Sequence, residues 1–138
     1  SGRNDVIKVL TPGSEGSTFG GYPLACVVSI YAMKSLIDEN LAQNANIRGS
    51  QLMSHYEDIM SEFPDKIKEV RGKGLLTAFE MHNNPHLDGH KVSVNLLKSG
   101  VYAKETHHSI VRIAPALTIE AWQIDEIADA IRNVVKDL

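Results

Sequence analysis

The residues best suited to chemistry in this chain lie in Gly16-Ser17-Thr18-Phe19-Gly20-Gly21-Tyr22-Pro23-Leu24-Ala25-Cys26. Glycines let backbone N–H groups approach a ligand closely, and neighbouring hydroxyls donate to phosphate oxygens. Proline suits the first position of a helix, so a helix opening at Pro23 would place its positive end beside Ser17 and Thr18. That combination reads as an anion cradle; the plainer alternative is a Gly/Ser loop leading into a core helix. Arg112 is the second candidate, set among apolar neighbours in Ser109-Ile110-Val111-Arg112-Ile113-Ala114-Pro115. A charge in such a strand must pair or reach a cleft, because an isolated buried charge is prohibitively costly. A guanidinium can grip a carboxylate through two parallel hydrogen bonds, which would make Arg112 an anchor for an acidic substrate. The alternative is a sheet-edge arginine paired with a local acid.

Other reactive side chains offer less. His82, His86 and His90 recur every four residues, a spacing that would align metal ligands on a helix. Asn83-Asn84-Pro85 and Gly89 instead predict a loop with solvated histidines, and no metal site is expected. His107 and His108 read as exposed hairpin residues. Gly72-Lys73-Gly74 reads as a tight turn or bulge, since the longer nucleotide-binding glycine fingerprint is missing. Cys26, between Ala25 and Val27, reads as a small buried apolar side chain. No nucleophile–base–orienter set is evident, and Ser17 lacks the Gly-x-Ser-x-Gly context of a nucleophile elbow.

The elements that must position these groups follow from periodicity. Val6–Leu10 reads as a short strand or extended arm ended by Pro12-Gly13. Pro23 to Asp38 is helical and apolar nearly all round, so it needs cover on every side, more than a chain this small supplies. A second helix runs from Leu41 to Phe63, with Leu52, Tyr56, Ile59 and Phe63 on one face and Gly49 weakening its middle. Strands are expected at Ile67–Arg71 and Leu75–Met81, then a helix at Lys91–Lys98 closed by Gly100. Strands at Val101–Lys104 and Ile110–Ile113 follow, and then a last helix with Thr118 as its N-cap. The fold class is α+β: a small, mainly antiparallel sheet covered by helices on one face.

Composition narrows the function. The 138 residues fit one ordinary domain, with 43% hydrophobic and 22% charged residues. A net charge of −3 leaves no basic excess for nucleic-acid phosphates, and no apolar run is long enough to span a bilayer. A single cysteine excludes an internal disulfide, so a reducing, cytoplasmic setting is the expectation. The opening Ser1-Gly2-Arg3 lacks an initiator methionine and reads as a cloning scar, so the natural protein is expected to start elsewhere.

Four segments occur in order: the glycine-rich stretch above, Glu69-Val70-Arg71-Gly72-Lys73-Gly74-Leu75-Leu76, Lys104-Glu105-Thr106-His107, and Val111-Arg112-Ile113-Ala114-Pro115. Together they resemble the C-terminal portion of the class III pyridoxal-phosphate aminotransferases, over nearly the whole chain. The Lys104–His107 stretch is most similar to the ornithine aminotransferases within that family. The resemblance implies the C-terminal small domain of a fold-type I enzyme: residues 1–22 as an arm and phosphate-contacting loop, residues 23–138 as the domain proper. It implies that Ser17 and Thr18 contact the phosphate of pyridoxal 5'-phosphate across a homodimer interface, and that Arg112 holds the substrate carboxylate. It also implies that the lysine carrying the cofactor as a Schiff base lies upstream, outside this chain; Lys8 is too close to Gly16 and lacks the expected context. The expected activity is transfer of the δ-amino group of ornithine to 2-oxoglutarate or another oxo acid by the longer protein, with the isolated chain inactive. Acetylornithine aminotransferase, or a stand-alone interaction domain, is the alternative. Two positions depart from the family pattern: Tyr22 stands where Asn is usual, and Ala116 where a second proline is common.

Overall fold

A computed structural model describes residues 3–11, 13–82, 84 and 87–138. Five helices and four strands are described, in the order α1 (Asn4–Ile7), α2 (Pro23–Asp38), α3 (Leu41–Glu62), β1 (Ile67–Lys73), β2 (Leu76–Met81), α4 (Gly89–Lys98), β3 (Lys104–Thr106), β4 (Ile110–Ile113) and α5 (Ala121–Lys136). The strands form one antiparallel sheet, β1-β2-β4-β3, so β4 is an inner strand and β1 and β3 are the edges.

Strand alternation divides the sheet into two faces. Thr77, Phe79, Met81, Val111 and Ile113 point inward and are buried. They meet Leu52, Tyr56 and Ile59 of α3, Val92 and Leu96 of α4, and Ile124, Ile131 and Val135 of α5 in one core. The four-three step from Leu52 to Tyr56 to Ile59 keeps these side chains on one face of α3. Helices α3 and α4 lie against the sheet, and α5 packs on both. The opposite face carries Arg71, Ala78, Glu80 and Arg112.

A buried hydrogen-bond relay crosses the core. The Thr77 hydroxyl donates to the Ile113 carbonyl at 3.0 Å and lies 3.1 Å from the Tyr56 hydroxyl. With its single proton committed to Ile113, Thr77 must accept from Tyr56. Burial pushes the Tyr56 phenol well above its ordinary pKa, so it stays a donor. The relay ties α3 through β2 to β4.

Close backbone approach explains Gly49. A Cβ there would run into the Gly74 carbonyl at the β1–β2 turn, where Gly74 holds φ +56°. The glycine in mid-helix is therefore a packing requirement and not only a weak point. Beyond it, α4 ends as the sequence predicts, at Gly100 with φ +85°. Val101 N–H bonds the Leu96 carbonyl and Gly100 N–H that of Leu97, the double closure of a Schellman motif.

Several expectations change. The segment expected as a short strand or extended arm at Val6–Leu10 instead begins within the single helical turn α1, just before which Arg3 reaches Asp5 at 2.7 Å. Pro12, expected to end it, lies outside the described residues, as do Ser1, Gly2, Asn83, Pro85 and His86. Strand β3 starts at Lys104, not Val101, because Val101 closes α4. Helix α5 is capped by Glu120 rather than Thr118: the Gln123 side chain accepts from the Glu120 N–H at 2.9 Å. Upstream, Asn44 of α3 donates to the Leu117 and Ile119 carbonyls at 2.7 and 3.0 Å, holding Thr118 in a turn before the helix. Cys26 is exposed, since no residue of α2 is buried.

The relay makes a quantitative claim. Thr77→Val leaves the Tyr56 hydroxyl buried without its acceptor, at a cost of about 1–3 kcal/mol, while Tyr56→Phe costs about 0.5–1.5 kcal/mol. Measured by urea denaturation, the double variant is expected to lose less stability than the two singles together. Additive losses would mean the two hydroxyls do not interact.

Candidate functional site

The outward face of the sheet is built by register. Across the four strands, Arg71 pairs with Ala78, Ala78 with Arg112, and Arg112 with Lys104. Three cations thus share one row, with the small Ala78 leaving the face open between two of them. Two residues along, on the same face, Glu69 pairs with Glu80, Glu80 with Ile110, and Ile110 with Thr106.

The two ends of this face are neutralised differently. On β1, Arg71 contacts Glu80 at 3.0 Å and Glu69 at 3.2 Å, and Lys68 contacts Glu80 at 2.6 Å. Hydrogen bonds from Lys68 and then Arg71 hold the Glu80 carboxyl below its ordinary range. Arg112 is exposed and has neither an ion pair nor a hydrogen bond among the described residues. The local-acid alternative for Arg112 is thereby set aside, and so is an edge position, because β4 lies between β2 and β3.

Ser17 and Thr18 sit in the exposed turn that leads into α2. The Gly20 N–H bonds the Ser17 carbonyl at 3.2 Å and the Tyr22 N–H bonds the Phe19 carbonyl at 3.1 Å, with Gly21 at φ +77°. Neither hydroxyl has a hydrogen-bond partner among the described residues. Pro23 occupies the first turn of α2, and Tyr22 caps it without a side-chain bond. The N–H groups of Leu24 and Ala25 are left with no intrahelical acceptor. Among the described residues, no hydrogen bond or ion pair joins this turn to the strand of Arg112.

Helix α2 itself is uncovered. Leu24, Val28, Tyr31, Met33 and Ile37 are each more than half exposed, as are Phe19 and Tyr22 before it. Among the described elements its main packing partner is α3.

The histidines separate. His82 follows β2 and lies 3.1 Å from the Pro64 carbonyl, while His90 belongs to the first turn of α4 and not to a loop. His86 lies outside the described residues. His107 and His108 form the exposed β3–β4 turn, both with left-handed φ. Among the described residues, no group of three or more His, Cys, Asp or Glu is placed to hold a metal ion, and no helix is long and apolar enough to cross a membrane.

Comparison with known proteins places this geometry. Residues 1–135 match the sequence pattern of the family described as Aminotransferase class-III. The chain belongs to the class-III aminotransferase family. Relatives in the family include ornithine aminotransferase 1 of Staphylococcus saprophyticus, 43% identical over 97% of this chain and 32% of that protein. A probable mitochondrial ornithine aminotransferase of Caenorhabditis elegans is 40% identical over 97% of this chain and 31% of its own length. Among solved class-III structures, the ornithine aminotransferase of Toxoplasma gondii superposes with a TM-score of 0.85 at 36% identity, covering 99% of this chain and 32% of that one. The acetylornithine aminotransferase of Elizabethkingia anophelis gives 0.84 at 34% identity, covering 98% and 34%. The chain thus spans about a third of the length of the relatives it matches, and the α+β fold expected from the sequence is the fold they share.

Sequence reasoning singled out Arg112 but not its cross-strand neighbour. Lys104 was placed at the end of a strand, which hides its pairing; counting back from a three-residue His107-His108-Ser109 turn would have set it opposite Arg112.

The Glu80 cluster has a pH signature. A carboxyl held below its ordinary pKa contributes stability that is fully present above that ordinary value of 4.5 and is lost as pH falls through the depressed one. Glu80→Gln is therefore expected to flatten the acid limb of the stability–pH profile below 4.5. An acid limb identical to the parent's would remove Glu80 from that linkage.

Proposed function

We propose that this chain is the C-terminal small domain of an ornithine aminotransferase, with residues 1–22 as arm and phosphate-contacting loop and 23–138 as the domain proper. The longer protein transfers the δ-amino group of ornithine to 2-oxoglutarate or a similar oxo acid. The observation that carries this reading is Arg112: a guanidinium on an inner strand of a class-III aminotransferase fold, facing outward with no acid among the described residues to neutralise it. Two parallel N–H donors fit one carboxylate, the group every amino-acid and oxo-acid substrate carries.

Ser17 and Thr18 fit the phosphate of pyridoxal 5'-phosphate. Their hydroxyls are free to donate, Gly20 and Gly21 keep the turn slim, and the open N–H groups of α2 add the favourable end of a helix dipole. One solved relative, from Toxoplasma gondii, is described with partial occupancy of that cofactor at its active site. When bound, the cofactor supplies an electron sink for amino-group transfer. This chain's own residues hold and orient: Ser17 and Thr18 at the phosphate, Arg112 at the carboxylate. No residue of the chain is assigned proton transfer; that role belongs to a Schiff-base lysine outside it.

The uncovered α2 supports a homodimer, in which the loop of one subunit completes the cofactor site of the other. A single cysteine is consistent with a reducing, cytoplasmic setting. The similarity to the Elizabethkingia acetylornithine enzyme supports a second reading, in which the donor carries an acetyl group.

In the full-length enzyme, Thr18→Ala is expected to weaken cofactor retention on dialysis, and Arg112→Ala to raise the oxo-acid KM roughly ten- to a hundredfold. Unchanged retention would free Thr18 of its role, and an unchanged KM would take Arg112 out of the site. Assayed side by side, ornithine is expected to outperform acetylornithine as donor, while the isolated chain transfers from neither. Preference for acetylornithine would establish the second reading.

A further inference from the structure

We propose that Lys104 is a second charged member of the Arg112 carboxylate site, drawing the oxo-acid carboxylate toward the guanidinium and so setting how strongly acidic substrates are preferred. This inference rests on the assignment of Arg112 to the substrate carboxylate made above.

Three observations support it. First, the β3–β4 register sets Lys104 directly across from Arg112, and both lie on the outward face. Directly opposed residues on adjacent strands have Cβ atoms about 4.5–5.5 Å apart, and like charges in that position repel. Second, neither side chain has an ion pair or hydrogen bond among the described residues. Third, cations that have an acid in register on the same face are neutralised: Lys68 and Arg71 are matched by Glu80 and Glu69, while Lys73, at the turn end of β1, has no such acid and no ion pair among the described residues. The acid nearest in sequence to Lys104 is Glu105, which pairs with the inward Val111 and approaches His90 and His108 at 3.8 and 3.9 Å. The neighbouring cross-strand pair, Thr106 and Ile110, is uncharged.

An opposed pair of bare cations is a cost to the free sheet that an anion would relieve. The bidentate fork of Arg112 gives geometry, and the mobile ammonium of Lys104 adds a point charge. Its contribution is attraction rather than alignment, so it acts on binding and not on the chemical step. Glutarate, which has two carboxylates and no oxo group, reads that binding without turnover.

The test uses the full-length holoenzyme. Lys104→Met is expected to raise both the 2-oxoglutarate KM and the glutarate Kd roughly two- to fivefold, the size of an exposed charge pair, with kcat unchanged. Lys104→Arg is expected to restore both values. The parent's KM is expected to climb more steeply with added salt than that of Lys104→Met. Unchanged KM and Kd in Lys104→Met, alongside a raised KM in Arg112→Ala, would overturn the role of Lys104 and leave Arg112 in place. If Arg112→Ala also changes nothing, the carboxylate site itself is misplaced and both assignments fall. A Lys104→Met variant that weakens subunit association while leaving the glutarate Kd unchanged would show that the ammonium meets an acidic side chain of a second copy, again overturning the proposal.

Discussion

The hydroxyl of Thr77 holds this structure in register. It is a buried polar side chain of the sheet, and it has one proton to give and one acceptor position to fill from the helix side. By giving to the Ile113 carbonyl and accepting from Tyr56, it fixes the neighbour of Arg112 relative to α3. A slip of one residue in β4 would bury the guanidinium and expose Val111 and Ile113. The polar relay therefore specifies which side of the sheet carries the charge. The core does the same by bulk, since Phe79 stacks edge-on against Tyr56 with ring centroids 5.8 Å apart.

The chain divides into a part that satisfies itself and a part that does not. From α3 to α5 the apolar faces meet one another in one core. From the glycine-rich turn through α2 they meet little: the helix is regular for sixteen residues, yet none is buried. Local propensity and the Pro23 start suffice to define such a helix, but tertiary cover normally supplies most of its stability. The two groups of site residues fall on either side of this division. Arg112 sits on a rigid inner strand, whereas Ser17 and Thr18 sit on a segment whose surroundings must come from elsewhere.

Much of this was legible in the residues. The α3 stripe, both hairpins, the Gly100 stop and the exact span of α2 follow from apolar periodicity and turn chemistry, which are local. So does the unusual all-round hydrophobicity of α2, which already implied missing cover. What escaped was decided by distant parts of the chain. Thr118 is a good cap by type, but Asn44, more than seventy residues upstream, holds the carbonyls beside it and delays the helix to Ala121. Cys26 looks buried by its neighbours, yet burial depends on what covers the helix. Val6–Leu10 has strand-like composition, but among the described residues it joins no sheet. Gly49 reads as a flaw until the Gly74 carbonyl is seen against it. The Lys104–Arg112 pairing depends on register, which a single residue's difference in turn length decides.

The charged dressing of β1 has a consequence for association. A sheet edge offers unpaired N–H and C=O groups to any passing strand, and proteins guard such edges with charge, irregularity or brevity. Here Lys68, Glu69, Arg71 and Lys73 crowd one edge, and the register shift between Ile67 and Glu69 breaks its regularity. The other edge, β3, is only three residues long. Neither edge is an easy template for adding a strand. Whatever surface this domain uses to join other protein is thus biased away from sheet extension and toward the faces of its helices, where contact is made by side chains and its partners can be chosen by shape.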